Sequence, residues 1–313
     1  MRAFVFPGQG AQSVGMGRAL AEAYPAAAAV FAEVDDALSE PLSRLIWDGE
    51  AEVLQLTRNA QPALMATSLA ALRALESEGM PHDAAAYVAG HSLGEYSALC
   101  AAGAIGLADT ARLLRLRGEA MQAAVPVGEG AMAALLGLDV EGAARIAAEA
   151  QAEGGTCEPA NDNDPQQVVV SGTREAVERA VATARSHGAK RALLLPVSAP
   201  FHCSLMRPAA EAMREALASV AIRDPRVPLV ANVTAAPVQD AEAIRDLLVR
   251  QVTGSVRWRE SVLWLAQAGV SETWEIGAGK ALSNMIRRTT HDIHARNIGT
   301  PEEARAAVAS LAN

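Results

Sequence analysis

The chain has 313 residues, half of them hydrophobic and a fifth charged, with a formal net charge of −9. That length suits one large α/β unit carrying an insertion, and the negative balance argues against general nucleic-acid binding and against an anionic membrane surface as partner. No apolar run approaches the ~18–20 residues that span a bilayer, and Cys100, Cys157 and Cys203, odd in number and widely spaced, suggest a reducing cytosol rather than a disulfide framework.

Residues 1–8 read as a first strand, too short for a signal peptide and without a small-residue cleavage site. The loop Pro7-Gly8-Gln9-Gly10-Ala11-Gln12-Ser13 follows, and its glycines allow the backbone to approach a ligand closely. An amide from Gln9 could support an oxyanion hole; as a bare loop, the segment is equally an ordinary strand–helix connection. A helix is expected over residues 60–78. Ala84-Ala85-Ala86-Tyr87-Val88-Ala89 is then an apolar run of strand length, and Gly90-His91-Ser92-Leu93-Gly94 matches the nucleophile-elbow pattern G-x-S-x-G. Residues 95–102 are a helix former that stops at Gly103. Strand, sharp turn and helix are the context this motif needs. Ser92 would stand at a helix N-terminus, where backbone N–H groups favour developing negative charge, with the N–H of Leu93 as an oxyanion donor. The alternative is a chance match in a chain with 24 glycines.

The next predicted helix, residues 107–124, carries Leu113, Leu114, Leu116, Ala120, Met121 and Ala124 on one face, with Arg117 in their midst. Arg112, Arg115, Glu119 and Gln122 fall on the opposite, solvated side. An inward arginine needs a partner, because an unpaired buried charge is costly. Its guanidinium fork suits a bound carboxylate, the alternative being a structural ion pair with Asp or Glu.

Residues 128–197 differ in pattern from their flanks. Strands are expected over 131–138, 156–160, 167–171 and 190–196, with helices over 140–152 and 174–187, giving the β-α-β-β-α-β order of a ferredoxin-like unit. The cleft between two such units is a common place for a ligand. Immediately after this segment, Pro196-Val197-Ser198-Ala199-Pro200-Phe201-His202-Cys203 leads into a helix over 204–218. A histidine held by that short loop is suited to act as the base a serine nucleophile requires, though an ordinary interfacial histidine fits the local sequence as well. Of the other five histidines, His91 reads as structural, His82 and His187 as exposed, and His291 with His294 lacks the ligands to complete a metal site. Later strands are expected over 227–231 and 272–276. The glycine-rich segments 128–133 and 277–281 imitate nucleotide-binding loops. The first precedes a strand instead of following one, and the second lacks the first glycine and the Ser/Thr after Lys280.

Taken together, the segments FPGQGAQSVGMG, NAQPALMATSLA, GHSLGEYSAL, RLLRLRGEAMQ, PANDNDPQQVVVSG, PVSAPFHCSLM, RQVTGSVRWRESV and EIGAGKALSNMIRR resemble the malonyl-CoA:acyl carrier protein transacylase family over nearly the full chain. The resemblance implies an α/β fold: a large α/β-hydrolase-like domain with a parallel sheet core (residues 1–127 and 198–313) and an inserted ferredoxin-like subdomain (128–197). It implies Ser92 as acyl-bearing nucleophile, His202 as base, Gln9 and Leu93 as the oxyanion site, and Arg117 as the holder of the malonyl carboxylate. The backbone carbonyl of Gln251 would orient the histidine, and Asn161 and Asn163 would contact the thioester arm. Leu93 and Phe201 resemble the malonyl-preferring variants of the family.

The implied reaction is a ping-pong transfer of malonyl from malonyl-CoA to the phosphopantetheine thiol of acyl carrier protein. No cofactor is bound permanently, coenzyme A enters as a thioester substrate, and no metal, nucleic acid or membrane takes part. A cytoplasmic monomer is expected. Two alternatives stay open at this point: a stand-alone acyltransferase for a polyketide synthase, and a serine hydrolase or thioesterase. An acidic carrier protein would need a local basic patch on this acidic chain, for which Lys190, Arg191, Lys280, Arg287 and Arg288 are available.

Overall fold

The computed structural model describes residues 1–311. Ten strands form two separate sheets. The larger contains β1 (Arg2–Phe6), β2 (Tyr87–Gly90), β7 (Leu229–Ala231), β8 (Ala236–Val238), β9 (Glu272–Ile276) and β10 (His294–Ile298), in the order β10-β9-β1-β2-β7-β8. Every neighbouring pair in it is parallel except β7 with β8. The smaller contains β3 (Gly130–Leu136), β4 (Cys157–Asp164), β5 (Gln167–Thr173) and β6 (Arg191–Leu194), all antiparallel, in the order β4-β5-β3-β6. The chain is thus a mixed α/β protein. Among the described residues, no helix is long and apolar enough to cross a membrane.

The central strand β1 is buried over Ala3–Phe6, as a parallel strand covered on both faces must be. Its last residue, Phe6, pairs in register with Gly90, the last residue of β2. The loop after β1 and the elbow after β2 therefore emerge side by side at the carboxyl ends of the strands, where open α/β sheets place their ligands. Gly8 allows the two to touch: a Cβ there would sit 2.6 Å from the His91 carbonyl oxygen.

The small sheet and its two helices, Val140–Ala152 and Arg174–Thr183, enclose a core of their own that includes Leu135, Ile146, Val168, Val170 and Val177. Its strand β4 runs four residues past the predicted end at Ala160. That extension is polar, Asn161-Asp162-Asn163-Asp164, yet buried, because it lies against the large unit. The Asp162 N–H donates to the Val256 carbonyl at 2.9 Å. Arg259 pairs with Asp162 at 2.9 Å and Arg288 with Asp164 at 2.7 Å. The second helix of the unit ends at Thr183 rather than His187, where the chain enters a turn with Gly188 at φ 94°. The segment after His202 begins as a 3₁₀ turn, Ser204–Met206, before the α-helix Arg207–Ala218.

The Leu107–Ala123 helix corrects two sequence expectations. Arg115 is buried, with Nη1 donating to Asn59 Oδ1 at 2.6 Å and Nη2 paired with Glu40 at 2.9 Å. Leu116, expected inward, is 37% exposed. The helix is covered on more than one side, by the Thr57–Ser77, Pro25–Leu38 and Arg207–Ala218 helices, so a single apolar stripe misjudges its buried surface.

Candidate active site

The elbow is built as its glycines require. A Cβ on Gly90 would lie 1.9 Å from the Gly94 backbone, and one on Gly94 would lie 2.2 Å from the Phe6 carbonyl oxygen. Between them Ser92 adopts φ 53°, a left-handed conformation that costs a non-glycine residue about 1–2 kcal/mol. The turn is held from outside by Asn232, which follows β7. Its Oδ1 accepts the Ser92 N–H at 2.9 Å and its Nδ2 donates to the Gly90 carbonyl at 2.7 Å.

His202 meets Ser92 from the other side of the cleft. Its Nε2 is 2.7 Å from Ser92 Oγ, and its Nδ1–H donates to the Gln251 backbone carbonyl at 2.9 Å. With the proton fixed on Nδ1 by that carbonyl, the Nε2 lone pair faces the serine hydroxyl. His202 too is left-handed, at φ 60°. Burial, reinforced by the positive charge of Arg117, pushes its pKa down to about 3, so the ring is neutral at pH 7 and able to take a proton.

Arg117 projects into the same place and is 1% exposed. Its Nη1 donates to Gln61 Oε1 at 2.7 Å, and its Nη2 to Gln251 Oε1 at 2.8 Å and Ser92 Oγ at 3.2 Å. Its Cζ stands 5.7 Å from the Tyr96 ring centroid, and its Nε has no hydrogen-bond partner. Among the described residues no carboxylate lies within salt-bridge distance of it; its acceptors are neutral amides and the Ser92 hydroxyl. The structural ion pair left open by the sequence is therefore not what Arg117 makes.

These groups border a cleft of about 490 Å³ between the two sheets, lined by Gln9, Leu93, Arg117, Asn161, Asn163, Phe201 and His202 among others. Gln9 is tethered through its side-chain oxygen, which accepts from Thr57 Oγ1 at 2.8 Å. Among the described residues, nothing accepts the backbone N–H of Gln9 or of Leu93. Both donors are thus available to an oxyanion. Asn163 Oδ1 is 2.8 Å from His91 Nε2, so His91 links the elbow to the small sheet.

Sequence reasoning assigned no role to Gln61, Glu95 or Asn232, all buried around this cluster. Gln61 and Glu95 carry at most a weak local signal, each being a polar side chain that precedes an apolar stretch of its helix. Asn232 carries none, since only the pairing of β7 with β2 brings it to the elbow.

The nucleotide-binding imitation at Gly277–Lys280 is occupied by the protein itself. The buried Glu275 carboxylate accepts the Leu282 and Ser283 N–H groups at 3.0 and 2.7 Å, filling the helix N-terminus that a phosphate would need. Among the described residues, no group of three or more His, Cys, Asp or Glu side chains is arranged to hold a metal ion.

The acyl transferase domain family matches residues 3–310 of the chain. A malonyl CoA-acyl carrier protein transacylase from Bacillus subtilis is 45% identical over 309 residues, covering 99% of this chain and 96% of its own length. The crystal structure of an acyl-carrier-protein S-malonyltransferase from Bartonella henselae superposes with a TM-score of 0.97 at 56% identity, covering 100% and 99% of the two chains. A malonyl-transacylase solved in complex with a type II PKS acyl-carrier protein superposes at 0.95 with 43% identity, covering 99% of each.

Proposed function

The chain belongs to the acyl transferase domain family, and from that premise we propose that it is a malonyl-CoA:acyl carrier protein transacylase that supplies malonyl units for fatty-acid synthesis. The observation that carries this reading is Arg117: a buried guanidinium without a carboxylate partner, 3.2 Å from the nucleophile oxygen. A malonyl ester on Ser92 would carry its own carboxylate one methylene beyond the ester carbonyl, within reach of that charge. A substrate without the carboxylate leaves the guanidinium uncompensated.

Ser92 Oγ attacks the thioester carbonyl while its proton passes to His202 Nε2. The N–H groups of Gln9 and Leu93 receive the developing oxyanion, one such donor being worth ~3–4 kcal/mol. The C–S bond then breaks, and the imidazolium returns the proton to the sulfur of departing coenzyme A. In the second half the carrier-protein thiol gives its proton to Nε2 and attacks the malonyl ester, the malonyl group passes to sulfur, and Ser92 recovers its proton. His202 is oriented by a backbone carbonyl, so the catalytic pair is a dyad. Asn161 and Asn163 line the cleft, and we assign them to contact with the thioester arm. Coenzyme A enters as substrate and no cofactor is resident.

We read the two sheets as a hydrolase-like catalytic domain (1–127 and 198–313) and a ferredoxin-like subdomain (128–197). Their strand order, β4-β5-β3-β6 in the smaller, supports that reading. The enzyme is taken to act as a cytoplasmic monomer. Intact-mass measurement after mixing with malonyl-CoA, acetyl-CoA or methylmalonyl-CoA tests the function. One malonyl group is expected on Ser92, discharged by holo acyl carrier protein. Arg117→Ala is expected to lose malonyl transfer far more than acetyl transfer. Equal loss of both, or an acyl-enzyme that passes to water faster than to a thiol, would contradict the reading.

A further inference from the structure

Glu95 is a buried carboxyl group beside the nucleophile, 1% exposed, in the first turn of the Gly94–Ala101 helix. Among the described residues it makes no salt bridge. Its Oε1 accepts the Asn232 N–H at 2.6 Å, and its Oε2 accepts from Nε2 of Gln251. The other hydrogen of that Nε2 goes to the Ser92 carbonyl at 2.8 Å. The Ser92 carbonyl is an acceptor only, and both oxygens of Glu95 receive N–H groups, so the amide has one orientation that satisfies its neighbours. That orientation turns Gln251 Oε1 toward Arg117 Nη2, at 2.8 Å. The reversed amide would set an NH2 group against a guanidinium, donor to donor.

Resting on the transacylase reading, we propose that Glu95 is a positioning residue for the substrate-carboxylate clamp: acting through the Gln251 amide, it holds Arg117 in line with Ser92. The physical test is the amide itself. A glutamine at position 95 has one acceptor oxygen where Glu95 presents two to N–H donors. The backbone N–H of Asn232 takes it, and the new NH2 faces the NH2 of Gln251. Turning the Gln251 amide away relieves that conflict, gives up its bond to the Ser92 carbonyl and deprives Arg117 of its acceptor.

The experiment measures kcat/KM for transfer from malonyl-CoA and acetyl-CoA, with thermal unfolding of each variant as the folding control. Glu95→Gln is expected to lower the malonyl-to-acetyl preference by about tenfold, the effect of a change near 1.4 kcal/mol. In an Arg117→Ala background the same substitution is expected to leave the preference unmoved, because a pair acting as one unit is non-additive. Should Glu95→Gln not fold, Glu95→Asp keeps the carboxyl group, withdraws it by one methylene, and is expected to shift the preference in the same direction. An unchanged preference in a folded variant overturns the proposal, as does an equal fall with and without Arg117. Failure of the unsubstituted chain to take malonyl at all would overturn the transacylase reading together with it.

Discussion

His202 holds its place by three independent constraints: a left-handed backbone, a carbonyl on Nδ1 and the hydroxyl of Ser92 on Nε2. Each is legible only partly in the sequence. The two prolines before it announce a rigid loop, but the carbonyl that orients the ring lies 49 residues away. The pKa near 3 has a kinetic consequence. An ordinary histidine base is protonated and lost as the pH falls through 6.5; this one stays neutral until far below that. The expected kcat/KM for malonyl-CoA is therefore flat between about pH 5 and 7, since that ratio reports the groups of the free enzyme. An inflection near 6.5 in a pH–rate profile would show that burial does not depress this histidine. Helical phase marks Arg117 as an inward charge but sets Arg115, which is also buried, on the solvated side. Phase locates one buried stripe, and a helix packed on several sides has more than one.

Among the helices, the Leu107–Ala123 and Thr57–Ser77 pair decides where Arg117 sits. Their backbones come into contact at Gly118, where a Cβ would stand 2.5 Å from Arg58 Cα and 2.7 Å from the Thr57 carbonyl oxygen. Replacing a glycine inside a helix by alanine ordinarily gains up to ~1 kcal/mol from helix propensity. Here the neighbouring atoms are backbone and cannot rotate away, so overpacking at about 1–3 kcal/mol wins. Gly118→Ala is expected to lower the thermal midpoint and to weaken the malonyl preference, because the helix moves off with the adjacent Arg117. A raised midpoint would show that the two helices have slack. The glycine is visible in the sequence; that it faces backbone and not solvent is not. The elbow glycines are the opposite case, since the G-x-S-x-G spacing itself states that strand and helix backbones come into contact.

The two units meet along β4, and the buried Asp162 and Asp164 bind Arg259 and Arg288 of the large unit across that boundary. Arg288 is therefore committed to Asp164, which is only 1% exposed at its side chain, and reversing its charge would strand a buried carboxylate. Lys190 and Arg191, exposed on the small sheet, are the better candidates for meeting an acidic carrier protein. Charge reversal at both is expected to raise KM for the carrier protein and to spare acylation by malonyl-CoA; an unchanged carrier-protein KM would exclude this face. The amino-acid order alone carried the alternation of strands and helices, the β-α-β-β-α-β order of residues 128–197, the elbow around Ser92 and the inward phase of Arg117, because periodicity, turn glycines and a charge on an apolar face are local signals. His202 was set apart from an ordinary interfacial histidine only through the family resemblance. Folding decided the rest: the amide network of Gln61, Asn232, Gln251 and Glu95, and the meeting of Ser92 with a histidine 110 residues later. Those are contacts between segments far apart in the chain, and no local pattern encodes which of them will touch.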